Sequence, residues 1–113
     1  MKKLLLGGLA ILLLSCGTKV VSKATYYHDK YDGRIAADGS KFSQGAMTGA
    51  SNYYKLGDSV RVTNRQNGKT VDIKITDRMH SKYNKNRIDL SKKAFKKIGM
   101  LEQGVIEVDV KRL

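Results

Sequence analysis

The sequence has no proline, no tryptophan and a single cysteine, Cys16. With no proline-rich linker, low-complexity run or internal repeat to mark a boundary, the chain reads as one folded domain behind a leader. One cysteine cannot close a disulfide within the chain or build a zinc cluster. The two histidines, His28 and His80, have neither the spacing nor the cysteine partners that zinc needs. Asp29 and Asp32 in "DKYDG" lack the alternating acids and closing glutamate of a calcium loop. No metal and no cofactor are therefore expected. Acid is scarce too: Asp and Glu total 10 against 22 Lys and Arg, a net charge of +12. Such a surface favours polyanionic partners.

The apolar run near the start is shorter than the roughly 20 residues a spanning helix requires. "MKK" supplies a positive region and "LLLGGLAILLL" an apolar stretch, so residues 1–15 read as a secretory signal peptide. Leu13-Leu14-Ser15-Cys16 resembles the lipobox of bacterial lipoproteins, which implies cleavage before Cys16 and its acylation, palmitate included. Gly17 in place of an aspartate implies, by bacterial sorting rules, the outer membrane facing the periplasm. Residues 16–23 then form a lipidated tether and 24–113 the working domain. Removing Lys2 and Lys3 leaves 20 basic against 10 acidic residues, a net +10. Export argues against nucleic acid as the polyanion, despite the basic residues and six tyrosines.

What remains reads as short strands with one helix. "KATYYH" is a first strand, and Asp-Gly turn signals follow in "YDGR" and "ADGSKF". "GAMTGAS" is a small-residue segment suited to a strand in close packing. "SVRVTN" and "TVDIKIT" alternate on either side of Asn67-Gly68, a strong hairpin signal. Ser91 is placed to cap a helix with Ala94, Phe95 and Ile98 as its apolar stripe and Gly99 at its end. "GVIEVDVKRL" closes the chain as a strand with Ile106, Val108 and Val110 on one face. The pattern predicts a small barrel or sandwich.

One strand breaks its own rule. Val71, Ile73 and Ile75 alternate with polar residues, so the next position due on the apolar face is Asp77. A carboxylate in that phase is the leading candidate for chemistry.

"ATYYHDKYDGRIAADGSKF", "AMTGASNYYKLGDSVRVTNRQNGKTVDIKITDR" and "NRIDLSKKAFKKIGMLEQGVIEVDV" resemble successive blocks of the rare lipoprotein A (RlpA) family. The resemblance rests on Gly57-x-x-Val60-x-Val62-Thr63-Asn64, Asn67-Gly68-Lys69, Asp77-Arg78 and Arg87-Ile88-Asp89-Leu90-Ser91. It implies a mainly β fold, a six-stranded double-psi β-barrel with one short helix, related to expansin domains. It also implies lytic transglycosylase activity on peptidoglycan, with Asp77 as the family's catalytic aspartate. A lytic transglycosylase can work with one carboxylic acid that protonates the glycosidic oxygen and then accepts the proton of the sugar's 6-hydroxyl. Asp77 suits this role if the strand phase turns it to the barrel mouth and partial burial raises its pKa. Ser51, Arg78, His80 and Asp38 are the expected substrate-binding residues around it.

The chain departs from the family at three places. Thr48-Gly49-Ala50-Ser51 stands where the family reads Thr-Ala-Ala-His, Asp77-Arg78-Met79-His80 where it reads Asp-Arg-Gly-Pro, and Ala36 where it has threonine. Ser51 cannot carry a proton at neutral pH, which raises the alternative of an expansin-like peptidoglycan-binding module that cuts nothing. A third reading is an interaction or inhibitor domain on the same barrel. Asp89, beside the helix start, is read as a capping or Arg87-pairing residue. The lysines at 92, 93, 96 and 97 are read as a solvated helix face.

Overall fold

A computed structural model describes residues 17–82 and 86–113. The signal-peptide and lipidation expectations fall on residues 1–16, outside the described residues. The chain forms six strands, β1 (Val20–Tyr26), β2 (Thr48–Ser51), β3 (Ser59–Asn64), β4 (Thr70–Asp77), β5 (Arg87–Leu90) and β6 (Ile106–Arg112). One helix, α1 (Lys92–Ile98), lies between β5 and β6. The strands close in the order β1-β5-β2-β4-β3-β6, so no sheet edge is left unpaired. β1 with β5 and β2 with β4 are parallel, and the other four pairings are antiparallel.

Alternation builds the interior. Val60 and Val62 on β3, Val71, Ile73 and Ile75 on β4, Ile88 and Leu90 on β5, and Val108 and Val110 on β6 all point inward. α1 adds Ala94, Phe95 and Ile98, the stripe expected from the sequence. The Ser91 hydroxyl accepts from the Ala94 N–H at 3.2 Å and donates to the Ala46 carbonyl, so the cap also ties the helix to the segment before β2. At the other end, the Asn64 and Asn67 amides donate to the Ile98 carbonyl at 2.8 and 3.1 Å. The β3–β4 hairpin thus receives an orphan carbonyl of the helix C-terminus, and Gly68 takes the positive φ of its turn.

Two boundaries differ from expectation. β1 begins at Val20 rather than Lys23, because Val20 and Ser22 pair with Val110 and Val108 of β6. Arg87–Leu90 is a strand rather than a helix approach, held between β1 and β2. Neither partnership is visible locally.

Candidate functional site

The break in the β4 pattern has a structural cause. Gly49 of β2 pairs with Ile75, but Ala50 pairs with Asp77, so Thr76 is an extra residue without a partner on β2. This β-bulge reverses the phase of the strand end. Ile75 points into the barrel, whereas Asp77 shares the face of Ala50. The expectation that Asp77 continues the apolar face of β4 is therefore corrected: its side chain stands on the outer wall. The Thr76 carbonyl accepts the Asp38 N–H at 3.1 Å, which lays the 36–40 loop over the bulge.

On its other side β2 pairs antiparallel with β5, and Ala50 faces Asp89. Asp89 is also the partner of Thr25 on β1. Thr25, Asp89, Ala50 and Asp77 thus form one row across β1, β5, β2 and β4. Adjacent strands lie 4.7–4.9 Å apart, which places the two aspartate backbones about 10 Å from each other with only a methyl group between. The two aspartates of this row line a cleft of about 600 Å³ together with Tyr26, Tyr27, Tyr31, Arg78, Met79 and His80.

The two carboxylates sit in different surroundings. Asp77 Oδ1 accepts the N–H of Ala37 and its neighbour Arg78, both at 2.9 Å, and Oδ2 accepts the Tyr27 hydroxyl at 2.8 Å. Burial and the bond to Asp77 push the Tyr27 hydroxyl well above the usual tyrosine range, so it remains a donor. Asp89 accepts the Thr25 hydroxyl at 2.9 Å. Burial pushes its pKa up, the Asp77 charge adds to the rise, and Thr25 and Arg87 oppose it. Burial thus favours the protonated form of Asp89.

From the sequence, Asp89 reads as a capping or Arg87-pairing residue. In the structure it neither caps α1, which Ser91 does, nor is confined to Arg87: it joins Thr25 in the row. The one available signal was its alternation with the buried Ile88 and Leu90.

A second apolar cluster supports the site from outside the barrel. Tyr27 stacks on Phe42 with centroids 4.1 Å apart, over Ala50, and Met79 packs against them. Where the family resemblance suggests a glycine, Met79 places an apolar side chain at the cleft wall and donates its N–H to Asn52 Oδ1 at 3.0 Å. Gln44 binds this layer to α1: its Nε2 donates to the Tyr27 carbonyl at 2.7 Å, and its Oε1 accepts the Lys92 N–H at 2.8 Å.

Of the remaining expected site residues, Arg78 and His80 line the cleft and Ser51 and Asp38 do not. Ser51 is 1% exposed, and its hydroxyl accepts from the N–H groups of Tyr53 and Tyr54, so it shapes the turn after β2 rather than the cleft surface. The Arg78 guanidinium donates to the Ser51 and Tyr54 carbonyls, both at 2.6 Å, and so ties that turn to the residue beside Asp77. His80 is exposed at the cleft wall, with Nδ1 accepting the Lys82 N–H at 3.0 Å. Asp38 is exposed and bonds within its own turn to Ser40. Asp29 and Asp32 are both engaged by Gln44.

Replacing Tyr27 by Phe keeps the ring stack and removes one donor to Asp77. The expected loss is about 1.5–3 kcal/mol of stability, as for a bond to a charged acceptor, measured as a lower urea midpoint with unchanged slope. An unchanged midpoint would show that water replaces the hydroxyl without cost.

A closed mixed barrel with this strand order and a bulged, carboxylate-bearing outer row belongs to the double-psi β-barrel class. Residues 19–110 match the family model described as lytic transglycolase, and the chain belongs to that family. The chain is 37% identical over 112 residues to the probable endolytic peptidoglycan transglycosylase RlpA of Aquifex aeolicus, covering 91% of this chain and 49% of the relative. It thus spans about half the length of that relative. Among solved structures, the Streptomyces papain inhibitor is similar with a TM-score of 0.71 and 28% identity, over 87% of this chain and 96% of that one. An apo expansin of Clavibacter michiganensis has the same fold, with a TM-score of 0.66 and 24% identity, over 85% of this chain and 50% of that one.

Proposed function

We propose that the chain binds and cleaves the glycan strands of peptidoglycan as a lytic transglycosylase. The observation that carries this reading is the row in which Asp89 and Asp77 flank Ala50 and line an open cleft. Asp89, whose protonated form burial favours, donates to the glycosidic oxygen as the bond from that oxygen to the anomeric carbon breaks. The 6-hydroxyl of the same sugar closes on that carbon, and its proton passes to the Asp77 carboxylate. No water is consumed, and the product is an anhydro-muramyl end. The donors on Asp77 hold its oxygens in one orientation throughout. This divides between two carboxyl groups the work that one acid was expected to do. Similarity to the probable endolytic peptidoglycan transglycosylase of Aquifex supports the reaction class.

Mass spectrometry of glycan strands incubated with the wild type, Asp77→Asn and Asp89→Asn proteins tests the reading. Anhydro-muramyl products from the wild type and from neither variant support it. A non-cutting, expansin-like binding module is the second reading, favoured by the withdrawal of Ser51 into a turn where the family resemblance suggests a histidine. A related expansin structure is described as a complex with cellohexaose. Retention on sacculi without products from any of the three proteins would decide for the module.

The proposal includes attachment of the mature chain through a lipid on Cys16, probing the wall from the outer membrane. Labelling with palmitate in cells is expected for the wild type and lost in Cys16→Ala; equal labelling of both would remove the anchor.

A further inference from the structure

The helix beside the cleft is electrostatically unfavourable by itself. α1 carries Lys92, Lys93, Lys96 and Lys97 within seven residues and has no acid in its first turn. Cations in the last turn complement the helix dipole, but Lys92 and Lys93 sit at the end that repels them. Lys92 with Lys96 and Lys93 with Lys97 are also like-charge pairs four residues apart, which weaken a helix. The apolar stripe of Ala94, Phe95 and Ile98 holds α1 against the barrel.

Only part of this charge is compensated within the fold. Lys92 Nζ meets Asp29 Oδ1 at 2.9 Å and lies 5.8 Å from the centre of the Tyr26 ring. Lys93, Lys96 and Lys97 make no ion pair with any described residue. With Gln44 and Gly45, the four lysines line a groove of about 580 Å³. Its far wall is fixed, because Gln44 is bonded to the Lys92 N–H, the Tyr27 carbonyl and Asp29. The groove adjoins the cleft: Tyr26 lines the cleft and also contacts Lys92.

The geometry points to a second binding site in which the α1 groove holds a carboxylate-bearing stretch of the glycan strand that occupies the cleft. The inference rests on the peptidoglycan reading above. Muramyl residues carry a carboxylate on the lactyl group or on the peptide attached to it, and lysines on a helix present compact, mobile charges suited to such substituents. The lysines oppose helix stability and serve retention instead.

Co-sedimentation of the full-length protein with isolated sacculi tests this. Lys93→Ala/Lys97→Ala is expected to bind about tenfold more weakly at low salt, with the difference vanishing near about 1 M salt, where screening is nearly complete. Its melting temperature is expected to stay level or rise, because the Lys93–Lys97 repulsion and the Lys93 charge at the repelling end of the helix dipole are both removed. Amidating the sacculus carboxylates with carbodiimide and glycinamide should weaken the wild type to the same degree and the variant no further. Equal retention of variant and wild type, or undiminished wild-type retention on amidated sacculi, overturns the inference while leaving the peptidoglycan reading intact. Tighter lysine-dependent binding to phosphatidylglycerol vesicles than to sacculi also overturns it and assigns the groove to a lipid surface. A wild type that sacculi do not retain at all brings down both readings together.

Discussion

Asp89→Asn is expected to abolish glycan cleavage and at the same time make the protein more stable at neutral pH. Burial raises the Asp89 pKa in the folded state, so folding favours its protonated form. The contribution of that proton is fully present below the ordinary aspartate pKa of about 3.9 and is lost as pH rises through the elevated folded value. At neutral pH the folded protein therefore carries the cost of ionising a carboxyl in a poor solvent for charge. Asparagine removes that cost, and its carbonyl can still accept the Thr25 hydroxyl. The melting temperature of Asp89→Asn should exceed that of the wild type at pH 7, and the two should converge near about pH 3, where the wild-type carboxyl is neutral folded or unfolded. Loss of general acid catalysis is of order 10²- to 10⁴-fold. A variant less stable than the wild type at every pH would show that Asp89 is a structural partner of Thr25 and Arg87, and the acid assignment would fall with it.

This exchange of stability for chemistry explains why the site was only half legible in the sequence. Asp77 announces itself, because a carboxylate interrupts the alternation of Val71, Ile73 and Ile75. The inference drawn from the interruption put Asp77 on the wrong wall, since a bulge at Thr76 leaves no local trace and reverses the face on which Asp77 emerges. Asp89 looks like an ordinary acid before a helix until β5 is known to lie between β1 and β2. Parallel pairing of β2 with β4 joins segments more than 20 residues apart, beyond the reach of periodicity. The local elements fared better. The hairpin around Asn67-Gly68, the cap at Ser91, the stripe on α1 and the inward face of β6 each depend on spacing within a few residues, and each forms as expected. Ser51 marks the limit of reading by resemblance: the position corresponds to a family histidine, but this side chain satisfies its own turn.

Gly49→Val should unsettle the fold and the site through one contact. Gly49 does not take positive φ, so its backbone tolerates any residue; what excludes a side chain is space. A Cβ there would lie 2.6 Å from Ile73 Cδ1, 3.0 Å from the Asp89 carbonyl oxygen and 3.3 Å from Leu90 Cδ2. The Ile73 methyl can rotate away, so alanine, the residue the family resemblance suggests here, should cost less than valine although its Cβ already meets the Asp89 carbonyl. The Asp89 carbonyl belongs to the backbone of β5 and cannot yield without moving the strand. Valine adds two further methyls against it, with an expected cost of about 3 kcal/mol from overpacking. For a domain of this size that is a fall of roughly 12–24 °C in melting temperature. Gly45→Ala provides the control, since a Cβ there meets only Ser43 Oγ at an ordinary 3.6 Å and should change the melting temperature by little. Because the strain falls on β5 at Asp89, activity in Gly49→Val should drop below what the folded fraction alone predicts, measured at a temperature where the variant remains folded. Activity per folded molecule equal to the wild type would show that the row across β5, β2 and β4 tolerates displacement, and that the spacing of the two carboxylates does not govern the chemistry.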